Sequence, residues 1–469
     1  MTSRSKAASL TLSFGFATFF LVCVAALLGI WSRPLGELAN VWPASAVALG
    51  LLLRVPSQTR LMSAVGIVLG FVAADLMAGG TPLKIALLTA GNLAGISVGY
   101  GLYRSLGPKV LVLGDQQSVL ALLLVSISAA AASGVAGMVI DPLLFGNAAA
   151  SGWRFWFITE LQNYLVFLPA VLSLPIRLER PEPARARERR PPTDYIPLGV
   201  LTASFVVAMN TDGIVSLAIP VPAMMWCATV YTVFETSVLL IVYASIVTAF
   251  PPSALLVGTT VGDDARSDAI AIRLLIALLA LCPVMISILT AARDDLLSKA
   301  AYLADFDFLT GLHNRRSFTE RARKALAGCE KAQRPAALLM LDIDHFKAVN
   351  DSYGHGTGDL VLAQCAKEVT ACVRGDDLVG RLGGEEFVVL LLGSDSRAAF
   401  QVAERIRFSV SLAAVPSGAG APIHCTVSIG VTSTAEAGYD IQSLIQEADK
   451  ALYEAKRTGR NRVRLSAQG

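Results

Sequence analysis

The stretch Arg381-Leu-Gly-Gly-Glu-Glu-Phe-Val-Val-Leu-Leu-Leu392 decides how the C-terminal third of this 469-residue chain is read. A Gly-Gly pair between two apolar runs predicts a β-hairpin turn, because glycine accepts the positive φ angles that tight hairpins demand. Two carboxylates, Glu385 and Glu386, follow at once, and their strand runs on as Phe-Val-Val-Leu-Leu-Leu, which suits a buried central strand. Adjacent strand residues point to opposite faces, so the two acids do not form one symmetric clamp. One faces a cleft; the other braces the turn or reaches the same ion from beside it.

A second acidic strand end precedes it in Ala336 to Asp351, AALLMLDIDHFKAVND. Apolar residues run into Asp342-Ile343-Asp344, where alternation puts both aspartates on one face, and Lys347 follows. Acids from two strand ends beside a lysine suit a Mg²⁺–triphosphate site, since Mg²⁺ takes few protein carboxylates and keeps the rest of its shell for water and phosphate. That chemistry is phosphoryl or nucleotidyl transfer. Either motif alone fits a solvated strand end and its hairpin equally well.

Taken with Asp307-Phe-Leu-Thr-Gly-Leu-His-Asn-Arg-Arg316, Gly354-His-Gly-Thr-Gly-Asp359, Thr426-Val-Ser-Ile-Gly430 and Ala455-Lys-Arg-Thr-Gly-Arg-Asn461, these stretches resemble the GGDEF family of diguanylate cyclases. Glutamate stands at the third signature position, and the resemblance runs from Asp305 to Arg464. It implies an enzyme that condenses two GTP to cyclic di-GMP and two pyrophosphates on the facing domains of a homodimer. It also implies Asp342 and Glu385 as ligands of Mg²⁺ (or Mn²⁺), with the Ile343 carbonyl completing the shell and Glu386 assisting. Phe346, Lys347, Lys456 and Arg460 would surround the phosphates, Lys347 among the catalytic groups with the two glutamates; Asn350 and Asp359 would read guanine. A carboxylate accepts from guanine N1–H and the 2-amino group, a donor pair adenine lacks. An acid at 359 also suits the start of a helix through the macrodipole.

Arg374-Gly-Asp-Asp377 stands at the spacing of the family's inhibitory product site, and Arg405 matches the second-arm arginine of some members. Gln401 occupies a neighbouring position where arginine can occur, which implies weaker inhibition. His313 and His355 lack a second ligand at metal spacing and read as loop-shaping residues. Patterning predicts helices at 315–328, 358–373, 396–413 and 441–458, strands at 336–343 and 424–432, and a hairpin at 378–392. This is the split β-α-β order of an α/β (α+β) ferredoxin-like fold, and the resemblance implies the same order in a polymerase-palm-like core.

Composition places the rest in lipid: 54% of residues are hydrophobic, 16% are charged and mean hydropathy is +0.58. A net charge of +3 is too small to imply nucleic-acid binding. The seven cysteines show no metal-ligand spacing and read as reduced packing residues. Apolar segments at 9–31, 41–55, 61–79, 83–103, 117–138, 155–176, 194–210, 214–231, 233–250 and 269–292 make ten candidate spans. The weakest are 41–55 and the pair at 214–250, and eight spans is the alternative count.

Arg54 with Arg60, Arg104 with Lys109, and the solvated 177–193 loop carry the basic residues on the side of the N-terminus. This predicts an N-terminus and catalytic half in the cytoplasm, and the family resemblance implies that the membrane is a bacterial inner (cytoplasmic) one. Asp75, Asn92, Glu160, Gln162, Asn163 and Glu235 fall in or beside spans, where polar groups either join helices or mark a functional cavity. Val41-Trp-Pro-Ala-Ser-Ala46, Trp153-Arg-Phe-Trp156 and Pro169 resemble a membrane-associated sensor of the MASE type, first class, over about residues 10–295.

The expected division is a polytopic α-helical sensor at 1–292, a signalling helix at 293–306 and the catalytic domain at 307–469. Leu289, Leu296 and Leu303 recur at heptad spacing, as either a lone helix or a coiled coil of two chains would allow. Two other readings stay open. One is an inactive domain that binds GTP or cyclic di-GMP. The other is a transporter or channel with a regulatory tail, which would need a connected polar path through the spans.

Overall fold

The computed structural model describes residues 3–32, 41–107, 113–175, 190–211, 213, 215–249, 263–416 and 422–466. The chain divides into two units, Met1–Asp295 and Leu296–Gly469.

Apolar helices build the first unit: α1 (Ser3–Trp31), α2 (Ala44–Arg54), α3 (Arg60–Met77), α4 (Pro82–Leu106), α5 (Gln116–Phe145), α6 (Ala149–Ser173), α7 (Ile196–Met209), α8 (Val215–Ala218), α9 (Val221–Val230), α10 (Val233–Ala249) and α11 (Asp263–Asp305). Among the described residues, seven helical segments are long and apolar enough to cross a membrane. The three weakest candidates are the short ones, Ala44–Arg54, Val215–Val230 and Val233–Ala249. α2 has 11 residues, a rise of roughly 16 Å against a hydrocarbon core of about 30 Å, so the helix alone falls short of that thickness. Eight of its residues are buried inside the unit.

Arg54, at the end of α2, donates Nη1 to the carbonyls of Val171 and Leu172 and Nη2 to that of Leu174 (2.6 Å). It thereby caps α6 with a cation. Glu235 pairs with Arg190 at 2.7 Å and accepts from the Thr232 amide, so it serves the start of α10. Asp75, Asn92, Glu160, Gln162 and Asn163 are buried. Lys109 and residues 177–189 of the expected basic loop lie outside the described residues. The expected signalling helix is no separate element but the last part of α11, with Leu289, Leu296 and Leu303 exposed.

The second unit is a six-stranded sheet between two pairs of helices. Its strands are β1 (His313–Asn314), β2 (Ala336–Ile343), β3 (Leu378–Gly383), β4 (Glu386–Leu392), β5 (Val427–Ser433) and β6 (Val463–Leu465), in the order β1-β3-β4-β2-β5-β6. β1 and β6 pair in parallel at the edges; the inner pairs are antiparallel. All eight residues of β2 are buried, which explains why it reads as an unbroken apolar run.

Alternation splits β2 between two cores. Leu339, Leu341 and Ile343 pack with α14 (His355–Ala371) and α15 (Ser396–Leu412), whereas Leu338 and Met340 pack with α12 (Arg315–Lys331) and α17 (Ile441–Arg457). The short α16 (Thr434–Ala437) leads into α17. α13 (Phe346–Tyr353) is a helix beyond the four that patterning predicts; Gly354, at φ +81°, ends it and opens α14.

Candidate active site

Strand register decides which acids meet. Val388 and Leu390 join Leu338 and Met340 on the α17 side of the sheet, so Glu386 and Asp342, which continue those two rows, face the same side. They are paired directly across β4 and β2. Glu385 sits one residue earlier, in the loop. The turn is not the Gly-Gly pair but Gly384-Glu385, because Gly383 still pairs with Glu386 after a register shift beyond Arg381. Gly384, at φ +52°, supplies the left-handed position. The Glu385 carbonyl accepts from the Ile343 amide at 3.4 Å, tying the loop to the end of β2.

β5 shows why a helix can reach these acids. Its face toward α17 is Ser428, Gly430 and Thr432, and a Cβ on Gly430 would collide with the Ala448 carbonyl and the Leu452 amide. The backbone of α17 therefore lies directly on the strand. Lys456, in its last turn, reaches Asp342, Nζ to Oδ2 2.7 Å. Asp342 is 6% exposed. Burial pushes its carboxyl above the usual aspartate range; Lys456 opposes this, and the charges of Glu385 and then Glu386 add to it.

Asp344 is held differently from its neighbour two residues before. Thr426 Oγ1 and the Asn461 amide donate to Oδ2 at 2.7 and 3.0 Å, and Ser428 Oγ donates to Oδ1 at 2.7 Å. It is saturated by protein donors and serves the loop that follows α17. That loop carries Arg460 and Asn461 at φ +56° and +44°, conformations that persist only where neighbours hold them. Arg407 Nη1 holds Asn461 from the other side at 2.9 Å. The exposed Arg460 is thus presented near Lys456 on a braced backbone.

The hairpin has a brace of its own. Arg381 donates Nε and Nη2 to the Gly384 carbonyl at 3.0 and 2.7 Å, while Nη1 meets Asp307 Oδ1 at 2.9 Å. Asp307 also accepts from Thr310 N and Oγ1. Burial raises its carboxyl, but Thr310 and Arg381 outweigh that and hold it below the usual range. In the sequence, nothing local marks these duties of Arg381, Asp307 and Asp344. Arg381 and Asp307 stand out only as members of their motifs, and Asp344 only as sharing a strand face with Asp342.

Phe346 opens α13 and is buried, while Lys347 beside it is exposed. Asn350 and Asp359 come near each other through the α13–α14 turn. A Cβ on Gly358 would collide with Asn350 Oδ1, so glycine is required next to Asp359, which is exposed. Of the residues expected at the inhibitory site, Arg374 is exposed and Arg405 donates Nη2 to the Cys372 carbonyl at 2.6 Å, bringing both arginines to one end of β3. Both oxygens of Asp377 are engaged by backbone amides, Arg374 at 2.9 Å and Leu392 at 3.1 Å. His313 stacks on Phe306 and meets Ser317 Oγ through Nδ1.

Among the described residues, no three His, Cys, Asp or Glu side chains are gathered into a ready cation cage. Asp342, Glu385, Glu386 and the Ile343 carbonyl are nonetheless hard oxygen donors whose negative charge Lys456 offsets only in part. They fit a divalent cation that arrives with phosphates and needs few carboxylates.

Paired acidic strand ends, a helix-borne lysine and a braced basic loop define a nucleotidyl-transfer domain carried by a multi-pass membrane protein. The family description "Diguanylate cyclase, GGDEF domain" matches residues 304–462, and MASE1 matches residues 7–294. The chain is similar to the probable diguanylate cyclase DgcF of Escherichia coli strain K12, 33% identical over 325 residues, 67% of this chain and 98% of that one. Diguanylate cyclase A of Treponema denticola is 48% identical over 133 residues, 28% of this chain and 35% of its own. An active GGEEF domain of a diguanylate cyclase from Vibrio cholerae is 35% identical, covering 33% of this chain and 98% of that one, with TM-score 0.32. The chain belongs to the diguanylate cyclase family, with an N-terminal MASE1 region.

Proposed function

We propose that this protein condenses two GTP into cyclic di-GMP and two pyrophosphates, on paired catalytic halves, under control of its membrane unit. The observation that carries the reading is the Asp342–Lys456 pair beside Glu386 at the joined ends of β2 and β4. Mg²⁺ held by Asp342, Glu385, Glu386 and the Ile343 carbonyl would neutralise triphosphate charge and ease ionisation of the attacking hydroxyl. Lys347, Lys456 and Arg460 bind phosphate oxygens as charge-assisted donors, and Phe346 packs beneath them. Asn350 and Asp359 take the guanine edge.

In each half-reaction the 3′-hydroxyl of one GTP attacks the α-phosphorus of the other, its proton leaves, and the bond to pyrophosphate breaks. A second such transfer closes the ring, so two facing domains are needed. Arg374, Asp377 and Arg405 form the product-binding inhibitory site. The basic end of α2, where Arg54 meets the last carbonyls of α6, and Arg104 in the last turn of α4 support an inner-membrane protein with its N-terminus and catalytic half on the cytoplasmic side. The test is full-length protein in lipid nanodiscs, incubated with Mg²⁺ and either GTP or ATP, with products separated by chromatography. Cyclic di-GMP from GTP, and no cyclic product from ATP, is expected; turnover unchanged in Glu385→Gln would remove the metal assignment.

A further inference from the structure

Four elements of the membrane unit bring polar side chains to one buried place. Trp42, just before α2, donates its indole N–H to Asn92 Oδ1 of α4 at 3.2 Å and its backbone N–H to Asn163 Oδ1 of α6 at 3.3 Å. Ser45 Oγ, in the first turn of α2, lies 3.0 Å from Glu160 Oε1 and 3.4 Å from Asn92 Oδ1. One turn along α4 from Asn92, a Cβ on Gly95 would collide with Ser133 Oγ of α5 and stand 3.2 Å from the Tyr164 hydroxyl. Glu160, Asn163 and Tyr164 share one face of α6, being three and four residues apart. None of these three is more than 4% exposed.

Helix packing alone does not account for the cluster. Among the described residues, no protein group hydrogen-bonds Glu160 Oε2, Asn163 Nδ2, the Tyr164 hydroxyl or Ser133 Oγ. Leaving a buried polar atom unpaired costs on the order of 1–3 kcal/mol, and a carboxylate among apolar helices costs more. The other Glu160 oxygen has a neutral partner, the Ser45 hydroxyl.

We propose that this cluster is a binding site for a small molecule carrying a protonated amine and, a few bonds away, a hydrogen-bond acceptor. The ammonium group donates to Glu160 Oε2, and the acceptor takes Asn163 Nδ2 and the Tyr164 hydroxyl. A bare metal cation would leave Asn163 Nδ2 without an acceptor, and an anion would be repelled by Glu160. An amine with an acceptor satisfies groups of both kinds. Because it fills a position between α2, α4, α5 and α6, it stabilises their packing by mass action.

All five tryptophans, at 31, 42, 153, 156 and 226, lie in the membrane half. Tryptophan fluorescence of the full chain in lipid nanodiscs therefore reports on this unit, whether or not the catalytic half turns over GTP. The probe is ethanolamine, which carries both groups; ethylene glycol, without the cation, and tetramethylammonium, without N–H donors, are the controls. A saturable change and a raised thermal midpoint are expected with ethanolamine alone. Affinity should fall about 10- to 100-fold in Glu160→Gln and about 3- to 10-fold in Tyr164→Phe. Gln keeps an acceptor for Ser45 and Phe keeps the ring, so if one variant fails to fold the other still decides. No saturable response to ethanolamine, an equal response to either control, or unchanged affinity in the folded variants overturns the proposal and leaves a water-bridged packing network.

Discussion

Asp342 is a carboxylate that burial pushes toward protonation while its position calls for charge. Since its folded-state value lies above the ordinary 3.8, its contribution to stability is full below that value and is lost as pH rises through the raised one. A divalent cation held by the ionised carboxylate would offset this loss. The thermal-midpoint gain from Mg²⁺ should therefore grow as pH rises above 3.8, and Asp342→Asn should abolish that growth; a gain equal at every pH would place the cation elsewhere. Asp344, by contrast, has its oxygens filled by Thr426, Ser428 and the Asn461 amide. It is a positioning residue for Arg460. Asp344→Asn should raise KM for GTP about tenfold, the worth of one charge-assisted hydrogen bond, with kcat changed less and Mg²⁺ stabilisation kept. Steady-state kinetics beside thermal shifts separate this from a general loss of fold.

At the scale of elements, the seating of α17 on β5 sets the reach of Lys456. Gly430→Ala pushes a methyl into backbone atoms, Ala448 O and Leu452 N, which no rotamer change can relieve. A loss of about 1–3 kcal/mol in stability is expected, with a fall in kcat beyond what the folded fraction explains. Denaturation curves and activity on the same samples would show it; full activity at normal stability would mean that the helix slides freely. The hairpin is held from its other end by Arg381 and Asp307, whose ion pair is largely shielded from solvent. Its open end is stapled by Asp377, which accepts from the Arg374 and Leu392 amides.

For the whole molecule, that staple separates two arginine-site substitutions that look alike in sequence. Arg374 contributes its backbone amide to the turn and leaves its side chain exposed, so Arg374→Ala should keep the fold and the initial rate while relieving inhibition by product. Asp377→Ala removes an acceptor from two amides and should cost stability as well. Progress curves of the full chain with added cyclic di-GMP, at several GTP concentrations, test the regulation. Inhibition that GTP overcomes, or that is equal in wild type and Arg374→Ala, would move feedback away from this site.

The sequence by itself determined the two halves, the β2 strand, the α15 and α17 helices and the acids at the strand ends, because hydrophobic period and turn chemistry are local. It could not determine that Glu386 rather than Glu385 stands opposite Asp342, since that register depends on the irregularity between Arg381 and Gly383. Nor could it show that Asp344 is consumed by partners 82 and 117 residues away, at Thr426 and Asn461. β1 and β6, two and three residues long, have no periodicity to read and exist only through pairing. In the membrane half, the sequence marks Asn92 and Glu160 as polar residues on two separate segments and holds Ser45 only inside the Val41–Ala46 motif. Only the packing of α2, α4 and α6 makes them one polar site, because contact between distant segments is decided by how helices fill space together.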